Sequence, residues 1–265
     1  MPMHDVAFIL AGFVVGLVVG LTGVGGGSLM TPILIFFFGV KPYLAVGTDL
    51  LFAAFTKLGG TVRLARARLI DWRIVLGLSA GSLPAALITL FILHRLGPAS
   101  PLVQSLMTTT LGAALLLTAA ATLYKAVRGK ALPATLTRGQ EARAATPRHW
   151  SLPLLLGAVV GTLVTLTSVG AGAIGVSVLL IIYPLLPLPR IVAADIAYAV
   201  PLTLVAGLGH ASLGSVDWRL LSLLLAGSLP GIWLGTHLMH RINERVIRSA
   251  LSVLLAWAGI KLIAI

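Results

Sequence analysis

Residues 6–38 read VAFILAGFVVGLVVGLTGVGGGSLMTPILIFFF. The run carries no charge and is longer than the roughly 20 apolar residues a helix needs to cross a bilayer. It is interrupted at Gly23-Val24-Gly25-Gly26-Gly27, where a helix is least favoured. Residues 152–188 repeat the pattern around Ser168-Val169-Gly170-Ala171-Gly172. Irregular backbone at membrane depth is tolerated only where protein or enclosed water surrounds it. Both breaks are therefore expected inside a helical bundle. Each is read as the turn of a broken hairpin, with two complete but short crossings as the other possibility.

The bulk composition agrees with lipid as the main solvent. Hydrophobic residues make up 58% of the 265 residues and charged residues 10%, against about 25% charged in a globular domain. Mean hydropathy is +1.05. The net charge of +12 would suggest nucleic acid in a soluble protein. Here the basic residues lie mostly between apolar segments, where they report orientation and head-group contact. With no cysteine there is no disulfide, thiolate nucleophile or thiolate metal site. The N-terminus lacks a basic n-region, so the segment from Val6 onward is expected to be retained as membrane structure.

Six ordinary spans follow from the apolar runs at 43–62, 72–93, 102–124, 191–210, 218–239 and 246–265. Arg63, Arg66, Arg68 and Arg73 fall in one connection, and Lys125, Arg128, Lys130, Arg138, Arg143 and Arg148 in or beside the longest. Arg241, Arg245 and Arg248 lie in a third. With Arg190, 14 of the 19 basic residues lie on one face if each broken stretch enters and leaves from the same side. That face is then cytoplasmic. The predicted fold is an all-α polytopic membrane protein of two repeats. Residues 1–127 hold a hairpin (6–38) and three spans, 128–150 form a basic cytoplasmic linker, and 151–265 hold the second hairpin (152–188) and three more.

The two halves repeat one another. At an offset of 145, Gly12, Gly16, Leu21, Thr22, Val24, Gly25 and Gly27 correspond to Gly157, Gly161, Leu166, Thr167, Val169, Gly170 and Gly172. At 146, Asp49 corresponds to Asp195, Asp71-Trp72-Arg73 to Asp217-Trp218-Arg219, and Gly81-Ser82-Leu83-Pro84 to Gly227-Ser228-Leu229-Pro230. One hairpin plus three spans makes an odd number of crossings, so the second copy is expected upside down. Inverted repeats with interrupted helices are the arrangement of many secondary transporters. Duplication that merely builds a stable bundle is the plainer alternative.

The candidate chemistry is sparse. The glycine run lacks the strand and GK[ST] lysine of a phosphate-binding loop. Between two half-helices it exposes backbone N–H groups and aims helix N-termini, near Ser28 and Ala173, at whatever fills the break. An anion site is thus expected from Thr22, Gly25, Gly26, Gly27, Ser28 and Thr48, and from Thr167, Gly170, Ala171 and Gly172. Close helix packing is the competing use of the glycines. Asp49 and Lys57 are costly inside a span and stand eight residues apart, about 12 Å along one helix, too far to pair. Asp49, preceded by Thr48, and Asp195 either cap helix ends or carry a coupling proton. Lys57, replaced by Thr203 in the second copy, either snorkels or attracts an anion. Asp71 and Asp217 suit N-caps, beside interfacial tryptophans. The histidines lack the spacing and carboxylate company of a metal site, and no nucleophile–base pair is evident, so neither enzyme chemistry nor a cofactor is expected.

The run from Gly16 to Pro32, followed by Ala45-Val46-Gly47-Thr48-Asp49 and Leu69-Ile70-Asp71-Trp72, resembles the TauE/SafE sulfite exporter family over roughly residues 6–262. The resemblance implies a bacterial inner-membrane permease for a small anion such as sulfite, sulfate, thiosulfate, a sulfonate or an organic acid. It also makes proton coupling a family expectation. Its glycine motifs map to residues 23–27 and 168–172, with Ala171 departing from the Gly26 of the first copy. An anion channel or a non-transporting accessory protein is the alternative function. The expected partners are lipid, the anion and protons, with no nucleic acid.

Overall fold

The computed structural model describes residues 3–22, 27–128, 151–238 and 244–264, and every regular element among them is helical. The first half contains α1 (Met3–Thr22), α2 (Gly27–Phe38), α3 (Pro42–Arg66), α4 (Trp72–Leu96) and α5 (Pro101–Arg128). The second contains α6 (Ser151–Thr167), α7 (Ala173–Ile182), α8 (Leu188–Ser212), α9 (Trp218–Leu238) and α10 (Glu244–Ile263). The linker expected at 128–150 lies, apart from its first residue, outside the described residues.

Among the described residues, five helices (α1, α4, α5, α8 and α9) are long and apolar enough to cross a membrane. The chain is an all-α polytopic membrane protein. Its outer surface carries Phe37, Leu76, Ile181, Trp233 and Val253, all exposed, which lipid accommodates and water does not. α3 is as long as α4 but more polar, and its stretch from Ala45 to Ala54 is buried inside the bundle. The short helices α2 and α7 begin where the glycine breaks end, at Gly27 and Ala173.

Helix starts after the loops are set by the expected caps. The Asp71 carboxylate accepts from the Arg73 N–H at 3.0 Å, and Asp217 Oδ1 from the Leu220 N–H at 2.9 Å. Each satisfies a donor that the first turn leaves without an intrahelical acceptor.

Glycine decides which helices approach. On α1, a Cβ added to Gly12 or Gly16 would stand 2.3 Å from the Leu224 carbonyl oxygen or 2.4 Å from that of Ser228, both on α9. On α6, a Cβ on Gly157 or Gly161 would meet the Leu78 or Ser82 carbonyl oxygen of α4 at 2.2 and 2.5 Å. The approach is mutual, because Gly227 of α9 meets Ile9 and Gly81 of α4 meets Leu154 in the same way. These contacts correspond to one another at the offsets of 145 and 146. Each half therefore lends its first helix to the other half's fourth. The two apolar cores mix the halves as well. One gathers Leu78, Val164, Leu179 and Leu202, and the other Val15, Leu34, Leu224 and Leu255. Phe8 near the start of α1 meets Phe38 at the end of α2, with ring centroids 4.6 Å apart.

Candidate functional site

Asp49 lies on the buried stretch of α3 with no exposure to solvent. It does not cap its own helix. Its Oδ2 accepts from the Thr31 hydroxyl of α2. Thr31 follows the first turn of α2, so the carboxylate stands near the end where N–H groups lack partners and the helix dipole is positive. The Ser168 side chain, from the second glycine break, lies beside the same carboxylate. Asp49 Oδ1 and Ser168 Oγ are both buried and neither reaches hydrogen-bonding geometry with any partner among the described residues. Val169 of that break packs in one core with Leu29 and Met30 of α2. One carboxylate thus joins α3, α2 and the opposite half's break.

Asp195 of α8 holds the corresponding place in the other half. Its Oδ1 lies where a Cβ on Gly175, in the first turn of α7, would be only 2.2 Å away. Glycine at 175 is what admits the carboxylate. The Tyr198 hydroxyl is 3.5 Å from the same point, one turn along α8 from Asp195, and is buried without a hydrogen-bond partner among the described residues. Lys57, 7% exposed, lies within electrostatic reach of both acids. The centre therefore holds two carboxylates and one ammonium, formally one negative charge, away from water.

The second break is built to stay open. α6 ends at Thr167, whose hydroxyl donates to the Leu163 carbonyl at 2.7 Å and accepts from the Val169 N–H at 3.1 Å. Ser168 then takes φ 60°, and Gly170 and Gly172 take φ 131° and 132°, values that only glycine adopts without strain. The Gly175 N–H bonds back to the Gly170 carbonyl at 3.1 Å, fixing the start of α7. His210 of α8, fully buried, supports the other side. Its Nε2 lies 2.9 Å from the Thr165 carbonyl, one of the last of α6, which the break leaves without an intrahelical donor.

Of the residues singled out from sequence, Asp49, Lys57 and Asp195 are brought together, with the 168–172 backbone beside them. Thr167 shapes that backbone. Thr48 goes elsewhere, its hydroxyl accepting from the Asp217 N–H at 3.0 Å and holding the start of α9. Gly25 and Gly26 lie outside the described residues, as do the side chains of Thr22 and Ser28; Gly27 opens α2. Sequence reasoning missed Thr31, Ser168, Tyr198 and His210 as participants. Tyr198 had a signal: it stands three residues after Asp195 and replaces Phe52 of the first copy. Among the described residues, no group of three His, Asp or Glu side chains is placed to hold a metal ion.

Apolar helices packed through glycine around an enclosed charged centre at a helix break define a polytopic membrane protein of the transporter class. Residues 8–262 match the family Sulfite exporter TauE/SafE, and the chain belongs to that family. It is 36% identical to the "Probable membrane transporter protein YjnA" of Bacillus subtilis (strain 168), over 98% of this chain and all of that one. It is 28% identical to the "Probable membrane transporter protein YunE" of the same organism, over 92% and 90% of the two chains. These relatives are named as transporters and not as enzymes. No solved structure matches. The chain is a multi-pass membrane transporter.

Proposed function

We propose that this protein is a secondary carrier that moves a small oxyanion, sulfur-containing by the family's name, across the plasma membrane by alternating access. The two halves are inverted repeats, each a broken hairpin and three spans, with 1–127 and 151–265 as the units and 128–150 as their cytoplasmic linker. The reciprocal glycine contacts of α1 with α9 and α6 with α4, and the meeting of Phe8 with Phe38, support this arrangement. The anion occupies the space between the glycine breaks. Its donors there are backbone amides of 25–28 and 170–173, the hydroxyls of Thr22, Ser28 and Ser168, and the Lys57 ammonium. Asp49 and Asp195 are the groups through which a proton gradient acts, while Thr167 holds the break in shape.

The observation that carries this reading is the enclosed set of Asp49, Lys57 and Asp195 at the second break, because buried charge in a span is costly and accumulates where ions pass. An inside-negative potential drives a dianion outward by about 2.3 kcal/mol per elementary charge per 100 mV. The test is flux in proteoliposomes loaded with labelled sulfite, sulfate, thiosulfate or a sulfonate. Saturable flux with counterflow for at least one anion is expected, and its loss in Lys57→Met. Flux that never saturates would mark a channel instead, and none for any anion would leave an accessory role.

A further inference from the structure

At the end of the bundle away from Arg63, Arg66, Arg68 and Arg73, two successive residues of α8 are gripped by two different helices. A Cβ on Gly209 would stand 2.1, 2.7 and 2.9 Å from three side-chain carbons of Leu90 of α4, so the leucine sits directly on the glycine. The next residue, His210, is fully buried, with its Nε2 2.9 Å from the Thr165 carbonyl of α6. α4 and α6 are themselves zipped together through Gly81, Gly157 and Gly161. They therefore hold the end of α8 as one body.

The repeat offsets of 145 and 146 give the counterparts of these residues at the arginine-bearing end. Leu90 corresponds to Thr236 of α9, Gly209 to Arg63 of α3, His210 to Leu64, and Thr165 to Gly20 of α1. α1 and α9 are zipped in the same way, a Cβ on Gly20 standing 2.5 Å from the Ile232 carbonyl oxygen. The grip on the neighbouring helix is not repeated. The Thr236 hydroxyl donates to its own helix, at 2.8 Å to the Trp233 carbonyl. Arg63 is exposed, and Leu64 is half-buried and has no ring to donate. Nearby on α3, a Cβ on Gly59 would meet nothing within 4 Å, and one on Gly60 only an Ile196 methyl at 3.8 Å. Ala206, the counterpart of Gly60 on α8, is fully buried.

We propose that Leu90, Gly209 and His210 form the gate on the outer face, closed in this structure, and that this closed state is the resting one because the inner face carries no equivalent lock. The inference rests on the alternating-access reading above, and the charge rule makes the gated face the outer one. A contact made in only one of two states shifts the population between them by its own free energy. For α8 to part from the α4–α6 pair, Leu90 must leave Gly209 and His210 must leave Thr165. Thr165 lies three residues before Ser168, where the second break begins. Opening the face and freeing the break are thus one event.

The chain has no cysteine of its own, so single introduced cysteines report accessibility to a charged, membrane-impermeant thiol reagent without background. Ala206→Cys, one turn from Gly209, reports the outer side in right-side-out vesicles, and Gly60→Cys the inner side in inside-out vesicles. Leu90→Ala should raise labelling of the first about tenfold and lower that of the second. Building the lock on the inner face, with Thr236→Leu and Arg63→Gly together, should move both rates in the same directions. Labelling that rises at both reporters marks plain loss of packing and overturns the gate, as does no change at either. Wild-type flux tests the carrier reading separately. Saturable flux with unmoved reporters removes the gate alone, whereas reciprocal labelling without flux upholds the gate in a protein whose cargo is none of the anions tried.

Discussion

Replacing Gly227 by alanine tests the packing that sets the whole bundle. The new Cβ would lie 1.9 Å from the Ile9 carbonyl oxygen and 2.8 Å from the Phe13 nitrogen, both backbone atoms of α1 that cannot rotate away. Ordinary contact starts at 3.4 Å, so α1 and α9 must part locally by about 1.5 Å, which also loosens Gly12 and Gly16 from their carbonyls. Overpacking of this kind costs about 1–3 kcal/mol, set against the gain of up to about 1 kcal/mol that alanine brings to a helix. Gly59→Ala is the matched control. Nothing lies within 4 Å of its Cβ position in α3, so only the propensity gain remains. Reversible unfolding in mixed micelles, followed by circular dichroism, should show Gly227→Ala destabilised and Gly59→Ala equal to or above wild type. Gly81→Ala, 2.0 Å from the Leu154 carbonyl oxygen, should resemble Gly227→Ala. Equal stability of Gly227→Ala and Gly59→Ala would refute the packing argument, and a harmless Gly81→Ala would refute the equivalence of the two interfaces.

Three further outcomes are expected. His210→Phe leaves the Thr165 carbonyl at the end of α6 without its donor, costing about 1–3 kcal/mol in the same unfolding assay; an unchanged midpoint would mean that another donor serves that end. Gly172→Ala places an L side chain at φ 132° and should lose about 1–3 kcal/mol, together with flux, so a fully stable variant would place the strain elsewhere. Asp5→Asn removes the pair in which Arg219 Nη2 reaches Asp5 at 2.8 Å. With the arginine 70% exposed, the loss should stay below about 1 kcal/mol, and a larger one would show that this contact does more than pin α1 to α9.

The architecture was legible where composition and spacing are strong signals. Long uncharged runs gave most of the spans, and Asp71 and Asp217 announced their helix starts because N-caps are local. The glycine break at 168–172 was legible for the same reason: the backbone conformations at 170 and 172 require glycine. The centre was only half readable. Asp49, Lys57 and Asp195 stand out as charges in apolar sequence, but nothing along the chain tells that Ser168 of one half faces Asp49 of the other. Hydroxyls are common in membrane helices and most bond to their own backbone, as Thr203 does to the Ala199 carbonyl at 2.7 Å. Thr31 and Thr48 look alike in sequence, yet one holds the acid and the other holds a loop. Such assignments depend on which helices cross, and that is decided by small residues whose partners lie in the opposite half.

The exchange of first helices between halves has a consequence for how the chain is made. During synthesis α6 emerges when α4 is already in place, so Gly157 and Gly161 find Leu78 and Ser82 at once. α1 has no such fortune: Gly12 and Gly16 wait for Leu224 and Ser228, about two hundred residues later. Until then its glycine face is sheltered by lipid, the insertion machinery or a temporary neighbour. Two seams that are equivalent in the finished molecule thus close at different stages of synthesis. A truncated chain ending before α9 leaves the first of them unsealed, however complete its own set of helices.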